Sequence, residues 1–269
     1  MLNAAIQGLV SEDQKKENNM KKLLTLATIA AAVPLIAVES ANIVGYSTLA
    51  TTSQSVMWTP MFNAGVTTAG TTYTLGDFKG VGMDITSDFI QFLDQDTLET
   101  TVSAVYLDEE TYGSEYAGWW DINDLGGTSL DDQTFSFATS FLAAFPSGNE
   151  IIFTFAGSVL SGSKTISTSA QSPMFGNFQP IDLTLADITA TGMDITSDFI
   201  QFLDADTLET TVSAVYLDEE TYGSEYAGWW DINDLGGTPL NDTPVPAGQG
   251  FLAAFPSGNE ITITFPAAL

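Results

Sequence analysis

The stretch DINDLGGTSLDD places Asp121, Asn123 and Asp132 at its first, third and twelfth positions with Gly126 at the sixth. A second stretch, DINDLGGTPLND, repeats the arrangement with Asp231, Asn233, Asp242 and Gly236. Oxygens at that spacing can wrap a hard cation, because Ca2+ takes about six to eight oxygen ligands and a glycine at the sixth position permits the sharp turn. Leu125 and Leu235 occupy the fifth position, where a ligand belongs, and the flanks read as extended, so an EF-hand is excluded. Two readings stay open: an Asx-type turn with solvated carboxylates and no cofactor, which the composition favours, or another kind of Ca2+ loop. DQDT at 94 and DADT at 204 are D-x-D turns facing the same choice, and LDEET at 107 and 217 reads as an acidic loop.

Each loop is preceded by a tryptophan pair, Trp119-Trp120 and Trp229-Trp230, with Tyr116 and Tyr226 close by. Neighbouring residues on a strand point to opposite faces, so one Trp of each pair is expected in the core and the other exposed or against a sister module. Such residues serve either core and interface packing or, where exposed beside tyrosine and carboxylates, stacking on the sugar ring of a surface glycan.

Other chemistry is ruled out by what is missing. The 269 residues contain no Arg, His or Cys and only six Lys, which excludes Ser-His and Cys-His nucleophiles, imidazole metal sites and disulfides. A two-carboxylate glycosidase needs neither His nor Cys, but its carboxyl separation of about 5 Å or about 6.5–9.5 Å is not written in a sequence. Nothing here marks a nucleophile with an oriented base, so the chain reads as a non-enzyme.

Thirty of the 34 carboxylates but only two lysines, Lys79 and Lys164, fall in residues 42–269, so that segment carries the full net charge of −28. Such a surface repels phosphate backbones and anionic lipid, which argues against nucleic acid and membrane partners. It also strains the fold by self-repulsion unless salt or divalent cations relieve it. The remaining lysines lie before residue 23. MKKLLTLATIAAAVPLIAVES, from Met20, combines a two-Lys start with an apolar run from Leu23 to Val38, the pattern of a secretory signal helix too short to span a bilayer. Cleavage is expected near Ser40 or Ala41, leaving a secreted, cell-surface or periplasmic protein; residues 1–19 are a polar extension ahead of it.

Met83–Thr128 matches Met193–Thr238 at an offset of 110 with one change in 46 positions, Gln95 against Ala205, and FLAAFPSGNEI recurs at 141 and 251. Upstream, GYSTLATTSQSVMWTPMF from Gly45 corresponds more loosely to GSKTISTSAQSPMF from Gly162. The chain therefore divides into residues 1–41, a first module at 42–156 and a duplicate at 157–269. Within a module the apolar residues have the period of strands: ITITF at 261 alternates cleanly and IIFTF at 151 is its twin, while TTVSAVYL, DFIQFL and SVMW are short, β-branched or aromatic, and bounded by turn residues. Six to eight short strands per module predict an all-β protein of two antiparallel sandwich-like or barrel-like modules, with a turn of helix at TLGDFKG or EETYGSEY. No long linker separates the modules, so they are expected to abut.

The order of signal peptide, ANIVGYSTL, an acidic block with GWWD and a PAGQGFLAAFPSGNEITITF close resembles uncharacterised exported β-rich module proteins of planctomycete and verrucomicrobial bacteria. In those proteins a GY strand opens the module and a P-x-G-x-G-F turn before a final strand closes it. Pro246, Gly248, Gly250 and Phe251 fit that close, whereas the first module has FSFATSF in its place. The resemblance implies a β-rich exported module and carries no activity.

Together these features predict an exported, acidic, tandem-repeat structural or adhesive protein of the cell surface or extracellular matrix, which self-assembles with help from cations. A carbohydrate-binding protein using Trp, Tyr and carboxylates is the alternative.

Overall fold

Alternation writes the strands. In the closing stretch Ile261, Ile263 and Phe265 are buried and the two threonines between them half-buried, the pattern of a strand with one face on a core. The computed structural model describes residues 44–61, 72–136, 138–159 and 162–267; the extension and signal helix expected over 1–41 lie outside them. Residues 42–269 group as one compact unit. Among the described residues no helix is long and apolar enough to cross a membrane.

The first module contains β1 (Val44–Thr51), β2 (Ser55–Trp58), β3 (Thr72–Thr74), β4 (Phe78–Val81), β5 (Phe89–Leu93), β6 (Thr100–Leu107), β7 (Gly118–Asp121), β8 (Thr134–Ser136), β9 (Phe141–Ala144) and β10 (Ile151–Ser158). The second repeats the set as β11 (Lys164–Thr168), β12 (Met174–Gly176), β13 (Leu183–Thr184), β14 (Thr189–Thr191), β15 (Phe199–Leu203), β16 (Thr210–Leu217), β17 (Gly228–Asp231), β18 (Pro244–Val245), β19 (Gly250–Ala254) and β20 (Ile261–Phe265). The short pairs β3–β8 and β13–β18 account for the strands beyond the six to eight expected. β10 runs two residues past the expected boundary at 156.

In each module a three-stranded sheet faces a five-stranded one. The orders are β1-β10-β4 and β2-β9-β5-β6-β7 in the first, β11-β20-β14 and β12-β19-β15-β16-β17 in the second, and every pairing is antiparallel. The sheets meet through aromatic rings: Phe78 on β4 stacks on Phe141 on β9 at 5.7 Å, and Phe153 on β10 lies 6.2 Å from Trp119 on β7. Such a layer is a sandwich core, and each module has its own. Both helical expectations are met: Leu75–Asp77 forms a single 3-10 turn, and α1 (Glu109–Tyr112) with its copy α2 (Glu219–Tyr222) makes one α-turn. Asp108 and Asp218 cap these turns by accepting from the Thr111 and Thr221 amides at 2.8 Å.

The modules abut through a junction in which contacts recur with the copies exchanged. The Ser55 amide donates to the Ala205 carbonyl at 3.0 Å, and its counterpart Ser172 donates to the Gln95 carbonyl at 2.7 Å. Trp58 bridges to Gln249, and Phe175 bridges to Thr139. This reciprocity is that of a two-fold, isologous interface. Each module also inserts one turn into its sister. Ala138 belongs to the second core, and Ala247 packs against the first. Ala138 has φ 61 and Gly248, its counterpart, φ 76, so the turn written P-A-G-Q-G in the second module survives in the first with alanine carrying the left-handed conformation.

Candidate functional site

The DIND loops follow β7 and β17. Asp121 Oδ1 accepts from the Asn123 amide at 2.8 Å and from Asn123 Nδ2 at 3.2 Å; Asp231 binds Asn233 in the same way at 2.8 and 3.1 Å. These are self-contained Asx turns. Gly127 and Gly237 follow because a Cβ at either would collide with the Asp124 or Asp234 carboxylate.

Asp132 and Asp242, the twelfth positions, occupy a turn after the loop, and both are exposed. The residue that turns inward is the one before. Asp131 Oδ1 accepts from the Trp119 amide at 2.8 Å, and Asn241 Oδ1 accepts from the Trp229 amide at 2.9 Å. The register explains the offset: Leu130 and Leu240 donate their amides to the Trp119 and Trp229 carbonyls at 2.8 Å, so the next side chain reaches back to the edge of β7 or β17. Gly118 is required beside it, since a Cβ there would lie 2.5 Å from Asp131 Oδ2. Among the described residues no three Asp or Glu side chains come together closely enough to hold a metal ion.

The tryptophans correct the sequence expectation, because both members of each pair are buried: Trp119 and Trp229 at 0 % exposure, Trp120 at 9 % and Trp230 at 7 %. Trp119 and Trp229 enter the cores, where Nε1 donates to the Phe78 or Ile188 carbonyl at 2.8 and 2.7 Å, tying the two sheets together. Trp120 and Trp230 face the other way, as alternation requires. Their side of the sheet is covered by the segment that follows α1 or α2, and Nε1 donates to the Tyr116 or Tyr226 carbonyl at 2.7 Å. Neither pair can stack on a sugar. Tyr116 and Tyr226 are the aromatic rings left exposed at this end, at 46 %.

The D-x-D turns are also closed units. Asp94 Oδ1 accepts from the Asp96 and Thr97 amides and the Thr97 hydroxyl at 2.9 to 3.0 Å, which holds its carboxyl below the usual carboxylate range; Asp204 repeats the set. These turns present the Gln95 and Ala205 carbonyls to the sister module.

Three structural sites went unmarked in the sequence reading. Asp88 and Asp198 are carboxylates with no exposure at all, accepting from the amide and hydroxyl of Ser147 or Ser257 at 3.1 and 2.6 Å and from the Asp84 or Asp194 amide at 2.8 Å. Their signal is the co-occurrence of TSDF and PSGN in both copies. At the junction, buried Thr59 and Ser140 bond through their hydroxyls, while Gly176 and Gly250 fill the corresponding places in the second module.

The third is a shallow recess of about 310 Å³ lined by Phe78, Lys79, Tyr106, Gly118 and Asp131. Burial, then the nearby Asp131, Asp108 and Glu109 charges, pushes the Tyr106 hydroxyl up, so it stays a donor at neutral pH. Thr189, Tyr216 and Asn241 hold the equivalent positions in the second module. Compared with known protein families, curated proteins and solved structures, the chain matches none.

Proposed function

We propose that the protein is an exported, acidic, non-enzymatic structural or adhesive component of the cell surface or extracellular matrix, which associates with copies of itself while cations relieve repulsion between its loops. The observation that carries this reading is the separation of charge from the sheets. Of the thirty carboxylates in residues 42–269, only Asp121 and Asp231 lie in strands; the rest sit in the connections. The sheets, apart from the ends of β7 and β17, are thus left free of the like charges that would oppose contact, and the charged loops keep the monomer soluble.

Light scattering on residues 42–269, which hold both cores, tests the reading across protein concentration with and without millimolar calcium. Assembly is the expected outcome, strengthened by calcium, and a monomer under every condition refutes it.

A second reading, recognition of a surface glycan, is favoured by the half-exposed Tyr116 and Tyr226 rings, which lie 6.4 Å from the Trp120 and Trp230 rings. Tryptophan fluorescence that responds to a glycan panel would support it.

A further inference from the structure

Every sheet edge among the described residues can be accounted for, and all but one carry a device against pairing. The β2 and β12 edges are taken up by the module junction. β7 and β17 end in Asp121 and Asp231 and are bridged on their open side, Trp120 to Ser129 and Trp230 to Pro239. β14 has three residues, and the strands of the β3–β8 and β13–β18 pairs have two or three.

β4 and β11 carry Lys79 and Lys164, the two lysines of residues 42–269. Neither forms an ion pair among the described residues. A lone lysine on an edge strand is a common guard against edge-to-edge pairing.

β1 has no guard. It is eight residues long, VGYSTLAT, with no charge and no proline, and it pairs in unbroken register with β10 on one side only. Its outward residues Tyr46, Thr48 and Ala50 are exposed, and Tyr46 at 72 % is the most exposed large apolar side chain described.

From this we infer, building on the self-association proposed above, that two copies of the chain pair through antiparallel β1 strands across a two-fold axis, making one continuous sheet β4-β10-β1-β1-β10-β4. The occupant is a second copy because the strand is self-complementary. Antiparallel partners must share a face, and a two-fold centred on Thr48 satisfies this by setting Thr48 opposite Thr48, Tyr46 opposite Ala50 and Ser47 opposite Leu49. A large residue then meets a small one on the outer face, and Tyr46 gains a neighbour. No carboxylate occurs in β1, β10 or β4, so no like charges come opposite each other along the seam. An isologous contact of this kind closes at two copies.

The test uses residues 42–269. Hydrogen exchange of the outward-facing β1 amides should slow as protein concentration rises, while exchange in β7 stays constant. Thr48→Lys places two like charges opposite each other and should weaken dimerisation about fivefold. Thr165→Lys, the same change at the matching position of guarded β11, should leave it unaltered. Thr48→Glu should also weaken it, and mixing the Lys and Glu variants should restore dimers, with mixed pairs above the statistical fraction in native mass spectrometry. Near-ultraviolet circular dichroism confirms that each variant is folded. Assembly that leaves the β1 amides unprotected, or that ignores both Thr48 substitutions, overturns the inference and leaves self-association standing. A monomer at all concentrations, with or without calcium, removes both.

Discussion

The duplication supplies a ready-made substitution experiment at the tryptophan loops. Asp131 and Asn241 hold the same place and accept from the same amide, Trp119 at 2.8 Å and Trp229 at 2.9 Å, although one is charged and the other is not. If the hydrogen bond to that amide is what the residue supplies, Asp131→Asn should be nearly neutral and Asp131→Ala should not. Truncation leaves the Trp119 amide without its acceptor and opens space against Gly118, whose would-be Cβ lies 2.5 Å from Asp131 Oδ2. An orphaned buried donor costs about 1–3 kcal/mol, and Asp131 is only half-buried, so water offsets part of this. A loss of about 1–2 kcal/mol is expected for Asp131→Ala, and less than about 0.5 kcal/mol for Asp131→Asn. For a unit of this size that corresponds to a fall in Tm of roughly 2–8 °C for alanine. Differential scanning calorimetry on residues 42–269 at moderate salt, where removing one charge matters little, reads both values. Equal destabilisation by the two substitutions would show that charge at residue 131 matters more than the bond, and no destabilisation by alanine would show that the bond is dispensable; either result refutes the reasoning.

Four further outcomes are expected. Hydrogen bonds from the Thr86 and Thr196 hydroxyls and amides hold the Asp84 and Asp194 carboxyls below their usual range, so their contribution is present above about pH 4 and lost as pH falls through the folded values; urea midpoints from pH 5 downward should fall less for Thr86→Val than for the parent. Gly250→Val should open the junction, because a Cβ there lies 2.7 Å from Met57 Cγ and 2.9 Å from its carbonyl, and faster exchange at the Ser55 and Ser172 amides would report it. Leu98 sits exposed at 41 % with φ 57, a conformation that costs a side-chain-bearing residue about 1–2 kcal/mol, so Leu98→Gly should raise the urea midpoint by roughly 0.5–1 kcal/mol of stability. Lys164→Ser removes the guard from β11, and sedimentation velocity should then show species larger than dimers.

Fold class was legible because it rests on period-two alternation, which ITITF and IIFTF state without ambiguity, and because the repeat at an offset of 110 shows each element twice. The very short strands were not legible: Leu183–Thr184 and Pro244–Val245 pair only because the surrounding sheets bring them together. The twelfth-position argument selected Asp132 over Asp131 because it counted along a loop template, whereas the bond from Leu130 to Trp119 decides which side chain turns inward. Alternation correctly sent the two tryptophans of each pair to opposite faces. It was silent on what covers the second face, since the segment after α1 lies over Trp120 through a contact to the Tyr116 carbonyl that no local pattern encodes. The left-handed Ala138 and the buried pair Thr59 and Ser140 were likewise hidden, being set by the sister module.

The two-fold junction and the unequal edges bear on each other. Duplicating a module whose β2 edge pairs with its own copy makes that association intramolecular, so it no longer depends on protein concentration. The same duplication doubles the outer edges, and two open edges per chain would give a polymer without limit. The copies differ at this place: Ser47 of β1 is matched by Lys164 of β11, and the eight residues of β1 by five. The interior remains symmetric while the outer edge does not, which would reduce the valence of the proposed strand contact from two to one. On the proposed self-association, growth past a pair of chains is left to the acidic connections, where the net charge of −28 would make it depend on cations. Under that proposal, strand pairing and cation-dependent contact are separable steps, the first expected to persist when calcium is chelated and the second to be lost.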